Sequence, residues 1–178
     1  MGRQGKVVAM STTDLQDCLN RHGLWVVSLG RSGSRLVAED IDFTGMALAG
    51  INLMDAELPG ADFSGTCLRD ADLSGGNFGS ARFADCDLSA AWLVKTNLDH
   101  ARLDRARLVG TKLCRASLIE ASLHDARLDQ ADLSGADLEG ADFGHASVIG
   151  CDMSRVFFKN TACPEPVCRA WLVCRKPG

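Results

Sequence analysis

The sequence predicts an all-β solenoid of the β-helix type, and three observations predict it. From Ile41 to Asn160 the chain repeats every five residues, 24 times, with no insertion or deletion. When the positions of a unit run from −2 to +2, position 0 is hydrophobic in all 24 units and is Leu or Phe in 22. Position −2 is mostly Ala, as in Ala61, Ala71, Ala101 and Ala131, while position −1 is often Asp, Asn, Ser or Arg. A fixed short period means a stacked array.

A period of five fits neither an amphipathic helix nor a continuous alternating strand. Extended backbone alternates its side chains, so −2 and 0 point inward and −1 points outward. The other two residues turn the chain, and each unit is one short side and one corner. Position-0 side chains then stack down the axis, with small −2 residues between them. Each buried Leu or Phe contributes roughly 1.5–3 kcal/mol. Gly at +2 in early and late units (Gly45, Gly50, Gly60, Gly65, Gly75; Gly110, Gly135, Gly140, Gly150) suits a type II turn. From Ser80 to Arg105 no +2 residue is Gly, which predicts other turn types there, or strain.

The units ADFSG (61–65), ADLSG (71–75), ADLSG (131–135) and ADLEG (136–140) resemble the consensus of the pentapeptide-repeat family. The resemblance covers residues 41–160, about two-thirds of the chain. It implies a right-handed quadrilateral β-helix with four pentapeptides per coil, and hence about six coils here. At ~4.8 Å per stacked strand such a rod is roughly 29 Å long.

The flanks read as covers for the two open ends of the stack. Residues 1–10 are expected to be disordered, and 11–40 to form a capping helix and leader. Ser11 to Asp17 supplies N-cap residues, Leu15, Cys18 and Leu19 share a helical face, and Gly23 is the expected stop. Leu24 to Val27 should then run on in extended form. The run His22-Gly23-Leu24-Trp25, with Arg35 after a Gly-rich turn, is similar to the leader of many bacterial members of the family. Pro164 and Pro166 end the array, and 161–178 reads as a C-terminal cap or dimerisation segment built on Phe158, Val167, Trp171 and Leu172.

Composition bounds the class. The 178 residues carry a formal net charge of −4, and no apolar run approaches the ~20 residues that span a bilayer. The first residues have no signal-peptide core, so a cytoplasmic, membrane-free protein is expected. Among eight cysteines, Cys86 and Cys151 sit at inward −2 positions, while Cys67 and Cys114 should face outward. Cys163, Cys168 and Cys174 lack zinc-site spacing, and no disulfide framework is expected.

Function must then lie on the outer surface. Four units per coil sort the repeats into four faces. The first, with units starting at 41, 61, 81, 101, 121 and 141, carries Asp42, Asp62, Asp85, Asp104, Asp125 and Asp142 against three arginines, net −3. The fourth, starting at 56, 76, 96, 116, 136 and 156, carries Glu57, Asp99, Glu120, Asp137 and Glu139 against Lys159, net −4. These faces adjoin, and the second and third faces balance to zero. An acidic side fits one reading drawn from the family resemblance: a DNA-mimicking protein that binds DNA gyrase or another type II topoisomerase.

A second reading is a generic protein-interaction rod. Trp92 stands at an outward −1 position, with Val94, Lys112 and Cys114 expected beside it as one patch. Its bland counterpart is a locally satisfied indole under a Lys112 cation–π contact. The remote third reading is a metal-dependent enzyme, for which His124 and His145 could approach each other near Asp104 and Asp125. Outer β-helix faces offer no deep cleft. The residues therefore favour a non-catalytic protein with no cofactor, no metal and no direct nucleic-acid binding, whose partner is another protein or a second copy.

Overall fold

The computed structural model describes residues 12–162. The expectations for residues 1–10, Ser11, the three C-terminal cysteines, Val167, Trp171 and Leu172 lie outside them. The chain divides into two compact units between Leu36 and Val37.

In the first unit, α1 spans Thr12–Val27. Leu15, Leu19 and His22 are buried on one stripe, four and three residues apart. Gly23 is not the stop: the helix runs through it and takes in Leu24 to Val27, which were expected to be extended. The helix ends instead in a Schellman motif. The Gly30 N–H donates to the Trp25 carbonyl (2.8 Å) and the Leu29 N–H to that of Val26 (3.1 Å). Leu29 takes the left-handed position, with φ 54°, that glycine usually fills. The chain then folds back along α1. A Cβ on Gly33 would lie 2.1 Å from the Arg21 carbonyl oxygen, so only glycine passes there. The Leu36 N–H donates to His22 Nδ1 (3.1 Å), which ties the returning segment to the helix.

The second unit is the repeat array. Every β-bridge is parallel and joins residue i to i+20, from Val37↔Glu57 to Asp142↔Ala162. One turn is therefore twenty residues and four pentapeptides. Each side is a single bridged residue at −1, too short to count as a strand. The backbone N–H groups of a unit have definite destinations. In Ala61–Gly65, Ala61 donates to Leu58 O and closes the corner. Asp62 donates to Ile41 O of the coil before, while Phe63 and Gly65 donate to Arg82 O and Ala84 O of the coil after. The Ser64 N–H donates to the Asp62 carboxylate within the unit. The same Asx arrangement recurs at Asn52, Asp72, Asn97, Asp137 and Asp152, which explains why −1 is so often Asp or Asn.

Every position-0 residue is buried except Phe158, which is half-buried. Phe43, Phe63 and Phe83 stack in parallel, with centroids 4.5 and 5.0 Å apart, and Phe78 tilts against two of them. Gly76 makes the room, since a Cβ there would sit 2.5 Å from the Phe78 ring. Inward hydroxyls are satisfied: Thr66, Thr96 and Thr111 donate to position-0 carbonyls 23 residues earlier.

The corners do not change type where glycine is missing. Ser80, Asp85, Ala90, Lys95, His100 and Arg105 all adopt φ of 57–59°, beside 66–72° at the +2 glycines. The expected strain is present at these positions, and the expected alternative turns are not.

Candidate functional site

With interior and backbone committed to the fold, recognition falls to outward side chains. Trp92 is 53% exposed and bridges to Lys112 in the next coil, so the two are neighbours in one column. Val94 and Cys114 are half-buried beside them, and the four expected patch residues share the third face. The Cys114 thiol donates to Asp132 Oδ2 (2.9 Å), and burial pushes its pKa up. Partial burial tends to raise the pKa of that same Asp132, but hydrogen bonds from Cys114 and Ser134, with Lys112 adding to them, hold the carboxyl low.

The acidic side is less bare than its sequence. Partial burial tends to raise the Asp62 pKa, but hydrogen bonds from Ser64 and the Arg82 guanidinium (3.0 Å) outweigh it and hold the carboxyl low. Arg105 grips Asp85 through two bonds, 2.7 and 2.6 Å, and lowers its pKa. Asp99 and Asp104 accept from Ser117 and Ser122 of the next coil. Glu120 meets His100 (3.3 Å), and Glu139 meets Lys159 (3.3 Å). Asp42, Asp137 and Asp142 accept backbone N–H groups at their own corners. Asp125 is exposed, and Glu57 adds a further interaction.

His124 Nδ1 lies 3.4 Å from Asp142 Oδ2, and its ring covers Gly144, where a Cβ would be 2.4 Å from Nε2. Among the described residues no group of His, Cys, Asp and Glu could hold a metal ion. Near the last rung, an open depression of about 340 Å³ is lined by Asp137, Glu139, Val156, Phe157, Phe158 and Lys159. Phe157 there is 67% exposed.

Counting charge by face missed one feature. The array has eleven Lys and Arg residues, and seven of them form ion pairs. Lys95, Lys112, Arg115 and Arg155 form none among the described residues, and all four lie on the third face with Trp92. Their spacing at +2 and −1, rather than the face's zero net charge, was the available signal.

The regular i to i+20 pairing and the inward Leu and Phe columns have a match among known families. The family model of pentapeptide repeats fits eight copies over residues 39–75, 81–118 and 116–155. The chain belongs to the pentapeptide-repeat family. Among solved structures, the pentapeptide-repeat protein Rfr23 from the cyanobacterium Cyanothece 51142 is 29% identical. That match covers 65% of this chain and 89% of Rfr23, with a TM-score of 0.56. HetL from Nostoc sp. strain PCC 7120, described as involved in heterocyst differentiation regulation, is 23% identical over 86% of this chain and 94% of its own, with a TM-score of 0.32. QnrB1, a plasmid-mediated fluoroquinolone resistance protein, is 18% identical over 78% of this chain and 94% of its own, with a TM-score of 0.25. No curated protein matches the chain in sequence.

In this pentapeptide-repeat protein the described cysteines are free thiols. Burial raises Cys86 to about 12 and Cys151 to about 11, so both stay protonated and unreactive at neutral pH. No helix among the described residues is long and apolar enough to cross a membrane.

Proposed function

We propose that this pentapeptide-repeat protein is a non-catalytic interaction rod, a right-handed β-helix of six coils that presents one stiff face to another protein. The observation that carries the reading is Trp92, 53% exposed in a column otherwise built of polar residues. Right-handed winding follows the general preference of parallel crossovers. Free thiols suit a reducing compartment such as the cytoplasm. The test is cross-linking capture with the intact protein and with Trp92→Ala. A partner held by the first and lost by the second, at unchanged melting temperature, is expected. Capture of nothing by the intact protein would end the reading.

A second reading, DNA mimicry toward a type II topoisomerase, is motivated by the two adjoining acidic faces with net charges of −3 and −4. Spread over roughly 29 Å, that is about one net charge per 4 Å, against one per ~1.7 Å in duplex DNA. Much of this acidity is also matched by local donors. A supercoiling assay with purified gyrase, with and without a quinolone, decides it: unchanged supercoiling at protein excess rejects mimicry. Dimerisation through the C-terminal segment is proposed from the size of Trp171 and the exposure of Phe157. Light scattering on Trp171→Ser, expected to halve the mass, tests it.

A further inference from the structure

We infer that the Trp92 face docks an acidic protein segment that brings an apolar side chain to the indole. This inference rests on the interaction-rod reading and names the partner's chemistry. Units 91–95 and 111–115 are stacked one coil apart. Together they hold Lys95, Lys112 and Arg115 and no carboxylate. None of the three cations has an ion-pair partner among the described residues. Every paired cation of the array lies on another face.

The carboxylates that border this patch accept hydrogen bonds and form no ion pair with its cations. Asp72, one coil before Trp92, accepts the Ser74 N–H, and Asp132, one coil after Lys112, accepts the Ser134 N–H and the Cys114 thiol. Lys95 and Arg115 occupy consecutive left-handed corners of one column, both at φ 57°. The corners flanking them in that column, Gly75 and Gly135, are glycine. Long cationic side chains thus stand where the relaxed residue is used on either side. A partly desolvated indole beside unpaired cations has the composition of a binding hot spot.

The size of the patch selects the partner. It spans two rungs, on the order of 10 Å along the stack, and Asp72 and Asp132 close it at both ends. A polynucleotide needs a cationic groove that follows its backbone, with several stacking rings. Here a continuing phosphate chain would run into carboxylates. A few acidic residues around one apolar side chain fit between them.

The experiment measures fluorescence anisotropy of a labelled, short glutamate-rich peptide with one central leucine against the full chain. Controls are the same peptide with serine for leucine, and an oligothymidylate of equal charge. Expected are salt-sensitive binding of the leucine peptide and a loss of about tenfold or more in Lys95→Glu/Arg115→Glu. Arg82→Glu/Arg127→Glu, which changes net charge equally on other faces, should leave it unchanged. Trp92→Ala should reduce the leucine peptide to the affinity of the serine peptide. Melting curves establish that each variant is folded. Binding indifferent to Lys95→Glu/Arg115→Glu, tighter binding of the oligothymidylate, or no peptide binding overturns the inference. A captured partner lost by Trp92→Ala but kept by Lys95→Glu/Arg115→Glu would sink the acidic partner and leave the interaction rod standing.

Discussion

The early coils, residues 41–79, and the middle coils, residues 80–115, reach the same backbone from different sequences. The early coils put glycine at most corners and stack three phenylalanines inside. The middle coils place Ser, Asp, Ala, Lys, His and Arg at the corners from Ser80 to Arg105, with glycine returning at Gly110, and are filled by leucines after Phe83. Corner φ differs by only about ten degrees between the two classes, 66–72° for the glycines and 57–59° from Ser80 to Arg105. The stack therefore dictates the corner, and the residue type decides what the corner can do. A glycine corner is relaxed and chemically silent. A strained corner carries a side chain, and Arg105, Lys95 and Arg115 use theirs for an inter-coil ion pair or for an exposed charge.

The largest expected effect breaks both regions alike. Leu103→Asp or Ala101→Trp puts an unpaired charge or a large ring in the narrow interior, at a cost comparable to the ~5–15 kcal/mol stability of a whole domain. Neither variant should give soluble folded protein by circular dichroism, and a normal melt for either would refute the register. Next is Gly76→Ala, confined to the early coils. Its Cβ would meet the Phe78 ring at 2.5 Å and the Ala56 carbonyl oxygen at 3.0 Å, a cost of about 1–3 kcal/mol. Adding Phe78→Leu should recover part of it in denaturant melts.

The corner comparison itself is tested by reciprocal exchange. Ala90→Gly should stabilise by about 1 kcal/mol and Gly65→Ala should destabilise by a similar amount. A methyl group at Gly65 would stand in open space, so only backbone conformation opposes it. Equal melting temperatures for the two variants and the parent would mean that these corners carry no strain. The smallest effect concerns acid. Asp62, Asp85 and Asp129 titrate below the ordinary carboxylate value of 3.8 in the folded chain. Their contribution is complete above that value and is lost as pH falls through their depressed folded values. The melting temperature should decline below about pH 4, and Asp129→Asn, which removes the charged acceptor of Ser147, should flatten the decline.

Much of this fold was legible because the inward positions are fixed by a one-dimensional period. Phe43 through Met153 could be assigned to the interior without knowing any neighbour. The end of α1 was not legible, because Gly23 is a local stop signal overridden by burial of Leu15, Leu19 and His22 and by the His22–Leu36 bond. The corners from Ser80 to Arg105 were half legible: absence of glycine pointed to strain, but not to retention of the turn. There the +2 N–H must reach the next coil, as when Lys95 donates to Cys114 O, and this outweighs the residue's own preference. The candidate patch was read from Trp92 outward and included Lys112, but Lys95 and Arg115 were missed because the face sums to zero charge.

The repeat by itself determined which residues face in, which face out and where the chain turns, since those follow from spacing along the backbone. Only the stacked structure decided which charges cancel between coils. Arg82 meets Asp62, Arg105 meets Asp85 and Arg69 meets Asp87 across 18 to 20 residues of sequence, while Lys95 and Arg115 meet no carboxylate among the described residues. Side chains from successive coils become neighbours only after the chain has wound through a full turn, so the free charge on each face is a property of the coil and not of any single unit.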